Sequence, residues 1–194
     1  MRHITALLAI TALAAATTHA ADNIDLSTIQ PRDGVQLTIY NAEDLTLVRE
    51  VRTVTFREGD NPLQFSWANT LIDPTSVSLR FLEHEESLTL VDTTFPHDKP
   101  QELQWHVQSE TTGQARVEIS YFTSGVTWSA DYAAIVSPDE ARVELQGFVT
   151  VKNNSGEDYQ AAKVRLVVGT INLVEQIAKL ARQPFQQEIG RAHV

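Results

Sequence analysis

The chain has 194 residues, of which 42% are hydrophobic and 21% are charged, and its formal net charge is −10. This length suits one or two small domains with a real hydrophobic core. The acidic balance argues against a general nucleic-acid partner, because phosphate binding needs a basic surface. The chain contains no cysteine, which excludes disulfides, thiolate zinc sites and a cysteine nucleophile.

The N-terminus has the residue order of a secretory signal peptide. Arg2 supplies positive charge, residues 4–16 are uncharged and rich in Ala, Leu and Ile, and Ala20 ends a Thr-His-Ala triplet. We therefore predict that residues 1–20 are a signal peptide cleaved after Ala20, and that the mature protein is periplasmic or secreted. The apolar run is shorter than the about 20 residues of a membrane-spanning helix, so we expect no stable transmembrane anchor.

After the leader, short alternating apolar runs separated by turn residues predict strands. Residues 45–56 are rich in Val and Thr, and Gly59, Asn61 and Pro62 give residues 57–62 the chemistry of a turn. Two prolines make residues 95–100 a loop, because proline is excluded from the middle of a paired sheet. The other strands predicted in this half lie at residues 35–40, 63–67, 77–81, 88–90 and 103–107.

The second half shows the clearest alternation. Val143, Leu145, Val149 and Val151 share one side of a predicted strand, whose other side is polar except for Phe148. This period of two is typical of a half-buried antiparallel strand. Strands are also predicted at residues 117–121 and 164–168, with a turn at residues 153–158.

These strands and turn signals predict an all-β fold made of two consecutive antiparallel β-sandwich-like units, the second of them truncated. We assign residues 21–110 to an N-terminal β domain and residues 111–175 to the start of the second. A short C-terminal helix could cover residues 171–182, where apolar residues recur at helical spacing. We interpret residues 176–188 as a helix or as a linker.

The last six residues, 189–194, read Ile-Gly-Arg-Ala-His-Val. A widely used sequencing-adapter sequence translates to these six residues followed by a stop codon. We therefore expect residues 189–194 to be an adapter translation and the natural chain to continue past Glu188.

Several segments resemble a pair of bacterial domains. Residues 37–40, 48–50, 58–61 and 72–77 are similar to the N-terminal domain of mucoidy-inhibitor-A-like proteins. Residues 121–132, with Gly125, Trp128, Ala130 and Tyr132, resemble the start of their second domain, known as domain of unknown function 4139. Residues 149–159 and 166–172 are similar to later parts of that domain.

The resemblance implies an extracytoplasmic, β-rich protein of a family without an agreed activity. Its members are usually longer, and many carry a coiled coil between the two domains. This chain departs from that pattern, since residues 103–121 contain no heptad repeat.

The candidate binding residues are Trp128, Asp131 and Tyr132. Aromatic faces beside a carboxylate suit the binding of a sugar or a peptide. The alternative interpretation is a strand in which Trp128 and Tyr132 pack in the core and Asp131 caps a turn, because their spacing also fits strand alternation.

Catalytic and metal motifs are not recognisable in the sequence. There is no Gly-x-Ser-x-Gly elbow, no His-Glu-x-x-His pair and no glycine-rich phosphate loop. We interpret the scattered histidines and acidic residues as solvated surface, and expect no metal and no cofactor. The residues considered as metal ligands are His84, Glu85, Glu86, Asp92, His97, Asp98 and His106.

We expect a non-enzymatic envelope binding or scaffold module whose partner is an unknown envelope protein or glycan. Its binding surface would be an exposed sheet edge, or the loops at residues 73–77 and 95–101. Two alternatives stay open: a periplasmic hydrolase whose active site lies beyond residue 188, and a carbohydrate-binding surface built on Trp67, Trp105 or Trp128.

Overall fold

The structure is a computed structural model that describes residues 23–26 and 31–169. In this part of the chain nearly all regular structure is β-strand, so the all-β prediction is confirmed. Short 3-10 helices occur at Asn41–Glu43 and Pro74–Ser76. The strands are β1 Ile24–Asp25, β2 Gly34–Tyr40, β3 Leu45–Phe56, β4 Gly59–Ser66, β5 Ser78–Phe81, β6 Leu88–Thr94, β7 Glu102–Ser109, β8 Gly113–Thr123, β9 Val126–Val136, β10 Val143–Asn153 and β11 Lys163–Val167.

The strands form two sheets and a separate hairpin. One sheet has the order β1-β4-β7-β6, and the other has the order β11-β2-β3-β8-β5. Neighbouring strands are antiparallel, except that β1 runs parallel to β4 and β11 runs parallel to β2. Strands β9 and β10 pair only with each other among the described strands.

The hydrophobic core lies between the two sheets. Phe65 is at its centre, with ring centroids 5.7 Å from Trp67, 5.9 Å from Trp105 and 5.9 Å from Tyr121. Phe65 and Trp105 lie on the four-stranded sheet, and Trp67 follows directly after β4. Tyr121 lies on the five-stranded sheet. Because buried aromatic side chains contribute large apolar areas, this cluster joins the two layers of the sandwich.

Two local predictions hold and one is wrong. Strand β3 covers residues 45–56 as predicted, and the proline-bounded loop lies between β6 and β7. The predicted turn at residues 57–62 is confined to Arg57 and Glu58, since β4 begins at Gly59 and contains Pro62. Pro62 precedes Leu63, the first residue of β4 that pairs with β1, so it lies where one side of β4 is an edge. The amide of Asn61 still bonds the turn, accepting from the N–H of Arg57 at 2.9 Å.

The prediction of a half-buried strand at residues 143–151 is also wrong. Strand β10 alternates as expected, but every one of its 11 residues is exposed. The sequence pattern reports which residues share a face, and it does not report whether another layer covers that face.

Strands on the two sides of the predicted domain boundary share one sheet. Strand β8, which follows residue 110, pairs with β3 along its whole length and also with β5. Strand β11 pairs with β2. The boundary near residue 110 stays a prediction about the sequence, while in space the strands before and after it belong to one sandwich.

Several predictions fall on residues outside the described part. These are the signal peptide at residues 1–20, the helix or linker at residues 171–188 and the adapter-like tail at residues 189–194. Within residues 23–26 and 31–169, no helix has the length and apolar character that crossing a membrane requires.

Candidate functional site

Trp128, Asp131 and Tyr132 all lie on β9, but they do not form one patch. Trp128 pairs with Val151 and Tyr132 pairs with Gly147, so both aromatic rings are on the same side of the hairpin. Asp131 pairs with Phe148 on the opposite side. Trp128 packs against the core, whereas Tyr132 is 71% exposed. Binding by these residues stays a prediction, and the geometry separates the carboxylate from both rings.

The base of the hairpin is fastened to the sandwich by hydrogen bonds from loops. The N–H of Trp128 donates to Oδ1 of Asn41 at 3.0 Å, and the N–H of Gly125 donates to Oδ1 of Asp44 at 2.9 Å. On the returning strand, the N–H of Asn154 donates to the carbonyl of Gly125 at 2.7 Å. The hairpin therefore leaves the sandwich from a fixed base, and Val126 at that base is fully buried.

The free edge of β6 is the second exposed feature. Strand β6 ends its sheet, and among the described strands it pairs only with β7. A register shift between Leu90 and Asp92 leaves Val91 outside the pairing, and Val91 is 60% exposed. Phe95 follows directly after the strand and is 54% exposed. An edge strand with unpaired backbone groups and exposed apolar side chains is a template for a further strand.

The two predicted loops differ in how firmly they are held. In the loop at residues 73–77, the Asp73 carboxylate accepts from the N–H of Thr75 at 2.9 Å and from its hydroxyl at 2.7 Å. Ser76 Oγ accepts from the N–H of Phe122 at 2.8 Å, which ties this loop to β8. The loop at residues 95–101 continues the β6 edge instead, so it is the better placed of the two to contact a partner.

Two of the three tryptophans are unsuitable for surface recognition. Trp67 and Trp105 are buried in the aromatic cluster around Phe65. A carbohydrate-binding surface could therefore not be built on them, because a sugar must reach the face of the ring. On the exposed hairpin, Tyr132, Phe148 and part of Trp128 would remain for such a role.

Sequence reasoning missed a cluster of charged residues inside the sandwich. Glu50 is fully buried on β3, and its Oε1 lies 2.9 Å from Nη2 of Arg52. Its Oε2 lies 2.5 Å from Nε of Arg32, and Arg32 also forms an ion pair with Glu157. The hydroxyl of Tyr121 donates to Glu157 Oε2 at 3.3 Å.

The register of β3 was the signal that could have revealed this cluster. Val48, Val54 and Phe56 belong to the core, and Glu50 and Arg52 have the same parity along the strand. Two opposite charges on the inward side of a strand are therefore expected to form an ion pair inside the fold, since an unpaired buried charge is very costly.

Burial controls the ionisation of this cluster. Burial raises the pKa of Glu50, and the neighbouring guanidinium groups of Arg52 and Arg32 act in the opposite direction. Burial also raises the pKa of Tyr121 well above its usual value of 10.0, with the Glu50 carboxylate acting in the same direction. Because Arg32 and Arg52 are matched by Glu50 and Glu157, the cluster is an internal ion-pair network and has the geometry of a structural element rather than of an open active site.

A cleft of about 660 Å³ lies at one end of the five-stranded sheet. Its charged lining residues are Asp33, Arg80, Glu85, Arg116 and Lys163. Arg80 contacts Glu118 at 3.0 Å, and Arg116 contacts Glu83 at 2.8 Å. Since both arginines are engaged by carboxylates, the cleft offers mixed charge and does not select one ligand class.

The candidate metal ligands are not brought together. Within the described part of the chain, no group of three or more histidine and acidic side chains is placed to hold a metal ion. His106 approaches one carboxylate, that of Asp60, at 3.7 Å.

Comparison with known families finds a match for part of the chain. Residues 117–188 match the family model of a domain of unknown function, DUF4139. The resemblance of this segment to that domain is thereby supported, and the matched residues include most of β8, the hairpin and β11. No curated protein and no solved structure matches the chain. The resemblance of residues 37–77 to mucoidy-inhibitor-A-like proteins stays a prediction.

Proposed function

We propose that this protein is an exported β-sandwich module that binds a partner protein in the bacterial envelope. Residues 1–20 supply the export signal in this proposal, and the binding surface is the free edge of β6 together with the loop at residues 95–101. The proposal is a binding or scaffold role, because the exposed surfaces offer contacts to a partner and the buried charges are paired with one another.

The observation that carries the proposal is that β6 has one unpaired side among the described strands and exposed apolar side chains beside it. A strand with one unpaired side can recruit an extended peptide through backbone hydrogen bonds, while side chains on alternate positions give specificity. Val91 and Phe95 are both more than half exposed and lie within five residues of each other. The partner that fits is an extended segment carrying apolar side chains, which favours a protein over a glycan.

The proposal is tested with a photo-crosslinking amino acid at position 95 of the full chain, expressed in a bacterial host that carries the gene. We expect a discrete adduct with an envelope protein. The adduct is lost in Val91→Pro, because proline removes a backbone donor from the edge. It persists in Val91→Thr, which keeps that donor. Val91 lies outside the β6–β7 pairing, so proline at this position spares the ladder within the sheet.

Two results would refute the binding proposal. One is the absence of a reproducible adduct at position 95, and the other is an adduct that is unaffected by Val91→Pro. Export is tested separately by cell fractionation and by the mass of the mature protein, which should begin at Ala21. Retention of an uncleaved chain in the cytosol would contradict the envelope location.

A further inference from the structure

The outer edge of β10 has no strand beside it in the described structure. Strand β10 pairs with β9 along its whole length, from Val143 to Asn153, and with no other strand of residues 23–26 and 31–169. All 11 of its residues are exposed, so no other described residue covers this edge. The strand contains no proline and its register with β9 is regular. A long, regular edge of this kind is a template for a further strand.

The hydrogen bonds at the two ends of the hairpin show which backbone groups face the free edge. The N–H of Ser137 donates to the carbonyl of Arg142 at 2.9 Å. The N–H of Asn154 donates to the carbonyl of Gly125 at 2.7 Å. Because backbone groups alternate in direction along an antiparallel strand, the even-numbered residues of β10 bond to β9. The odd-numbered residues therefore point their N–H and carbonyl groups toward the free edge.

The sequence of β10 is complementary to itself when it is reversed about Phe148, the middle residue of the strand. A two-fold axis at this position pairs two copies antiparallel, so that residues equally far from Phe148 lie opposite one another. Glu144 and Lys152 are each four residues from the centre. The carboxylate of each copy then lies across from the ammonium group of the other. Opposite charges in directly opposed positions stabilise strand pairing, whereas like charges destabilise it.

The inner pairs of this register also match in polarity and in backbone hydrogen bonding. Leu145 lies opposite Val151 on the apolar side of the hairpin, and Gln146 lies opposite Thr150 on the other side. The six edge-facing residues of each copy supply about 12 hydrogen bonds between the copies. Phe148 falls at a pair without backbone hydrogen bonds, where opposed side chains approach most closely.

Other symmetric ways of extending the hairpin lack this match. Moving the axis to Gly147 or Val149 removes both charge pairs. An axis at Asp131, the middle residue of β9, would place two carboxylates directly opposite each other. The outer edge of β9 is also engaged at its base, where the N–H of Trp128 donates to Asn41. The β10 edge is therefore the better suited of the two to pairing with a second copy.

We propose that the β10 edge is a homodimer interface, in which two copies of the chain pair antiparallel about Phe148 and their hairpins form one four-stranded sheet. Each copy uses the same edge, so the assembly closes at two chains. The charge match between Glu144 and Lys152 favours a second copy over an unrelated extended peptide. The interface leaves β6 free, and this inference is independent of binding at the β6 edge.

The charge pairs are tested by reversal in the full chain, with the dimer dissociation constant measured by sedimentation. Lys152→Glu places carboxylates opposite each other in both symmetric pairs, and we expect the constant to rise at least tenfold. The double variant Glu144→Lys/Lys152→Glu restores opposite charges in exchanged order and should return the constant to within about threefold of the parent value. The control is Arg57→Glu, which makes the same change of charge in the exposed turn before β4 and should leave the constant unchanged.

Three results of the sedimentation experiment would overturn the proposal. One is a parent chain that remains monomeric at about 100 µM, which would assign the β10 edge to another partner. The second is a dimer that Lys152→Glu does not weaken. The third is a dimer that Lys152→Glu weakens and the double variant does not restore. Circular dichroism checks that each variant keeps the β-sheet spectrum of the parent.

The register is tested with introduced cysteines, because the native chain has none. Phe148→Cys places two thiols in directly opposed positions with Cα atoms about 4.5 Å apart, which is within the range of a disulfide. Gln146→Cys is the matched control, since residue 146 is exposed on the same side of the same strand. Its counterpart in the other copy lies four residues along the strand, about 13 Å away.

Under mild oxidation we expect at least tenfold more disulfide-linked dimer from Phe148→Cys than from Gln146→Cys. Adding Thr150→Cys to the control opposes the thiols of the two copies and should restore the linked dimer. Equal yields from Phe148→Cys and Gln146→Cys would overturn the proposed register. Failure of the added Thr150→Cys to raise the yield would overturn it as well.

Discussion

At the scale of single residues, the charged cluster inside the sandwich is the most consequential feature. Glu50 contacts both Arg52 and Arg32, and Arg32 continues to Glu157 in the loop after β10. The cluster therefore links β3 to two segments that are distant in sequence. An ion pair in a low-dielectric interior stabilises the fold only while both partners are present, because the desolvation of an unmatched charge is not compensated.

The first prediction concerns the loss of one carboxylate from this cluster. We expect Glu50→Gln to lower the free energy of unfolding by about 3–5 kcal/mol, because it leaves buried guanidinium charge without its counter-charge. Urea denaturation followed by tryptophan fluorescence measures the change. The control is Glu83→Gln, which removes an exposed partner of Arg116 and should barely move the midpoint. Equal shifts for the two variants would contradict the burial of the cluster.

The second prediction concerns alkaline pH. Burial raises the pKa of Tyr121, so the folded protein keeps this proton at pH values where the unfolded chain has lost it. The stabilising contribution of Tyr121 is fully present below pH 10 and is lost as the pH rises toward the folded-state value. Above pH 10 the group lowers the unfolding free energy by about 1.4 kcal/mol per pH unit.

The Tyr121→Phe variant tests this. Its unfolding free energy should fall less steeply above pH 10 than that of the parent, although its stability at pH 7 is lower by about 1 kcal/mol through the lost hydrogen bond to Glu157. Urea midpoints between pH 8 and pH 11 give the comparison. Parallel curves for the two proteins would show that Tyr121 is accessible.

At the scale of elements, the loop after β10 fastens the hairpin to the sandwich. The N–H of Leu71 donates to the carbonyl of Ser155 at 2.9 Å, and Ser155 is buried although it lies in a turn. Gly156 has a φ of +86°, and a Cβ at this position would lie 2.1 Å from the carbonyl oxygen of Asn69. Backbone atoms surround this glycine, so a side chain has no room and an unfavourable conformation as well.

The third prediction compares two glycines. We expect Gly156→Ala to destabilise the protein by roughly 2–4 kcal/mol, from strain at positive φ and overlap with the Asn69 backbone. Gly113→Ala should be neutral or stabilise by up to about 1 kcal/mol, because nothing lies within 4 Å of its Cβ position and its φ is ordinary. Thermal unfolding by circular dichroism ranks the variants. If Gly113→Ala were the more destabilising variant, the loop that contains Gly156 would not contact the loop that contains Asn69.

At the scale of the whole molecule, β8 connects strands from the first part of the chain within one sheet. It lies between β3 and β5, and its inward residues Val117, Ile119 and Tyr121 are part of the core. The core of the first 110 residues is therefore completed by a strand that follows them. A domain boundary placed at a change of sequence pattern can cut through a sheet, because strand pairing is not confined to neighbours in the chain.

The fourth prediction follows from this arrangement. A fragment of residues 21–110 lacks β8, which is one of the two partners of β3 and the described partner of β5. We expect this fragment to show neither a β-sheet circular-dichroism spectrum nor cooperative unfolding. The matched protein of residues 21–188 retains both sheets and should give a β-sheet spectrum. A sharp melt of residues 21–110 alone would establish that they form an autonomous domain.

The sequence by itself determined where some strands lie and which residues share a side of a strand, because these features depend on neighbouring residues. Alternation placed β3 at residues 45–56 and put Val143, Leu145, Val149 and Val151 on one side of β10, because side chains of a strand alternate by geometry. The residues around Gly125 and Trp128 also indicated the family domain that residues 117–188 match. The candidate set of Trp128, Asp131 and Tyr132 was placed on one strand, but that same alternation puts Asp131 on the opposite side.

Only the tertiary structure decided which faces meet other faces. It buried Trp67 and Trp105, enclosed Glu50 between two arginines and left the alternating strand β10 exposed on both sides. It also joined β8 and β11 to strands from the first part of the chain. These outcomes depend on contacts between segments far apart in sequence, and a pattern within one segment carries no information about the segment that packs against it.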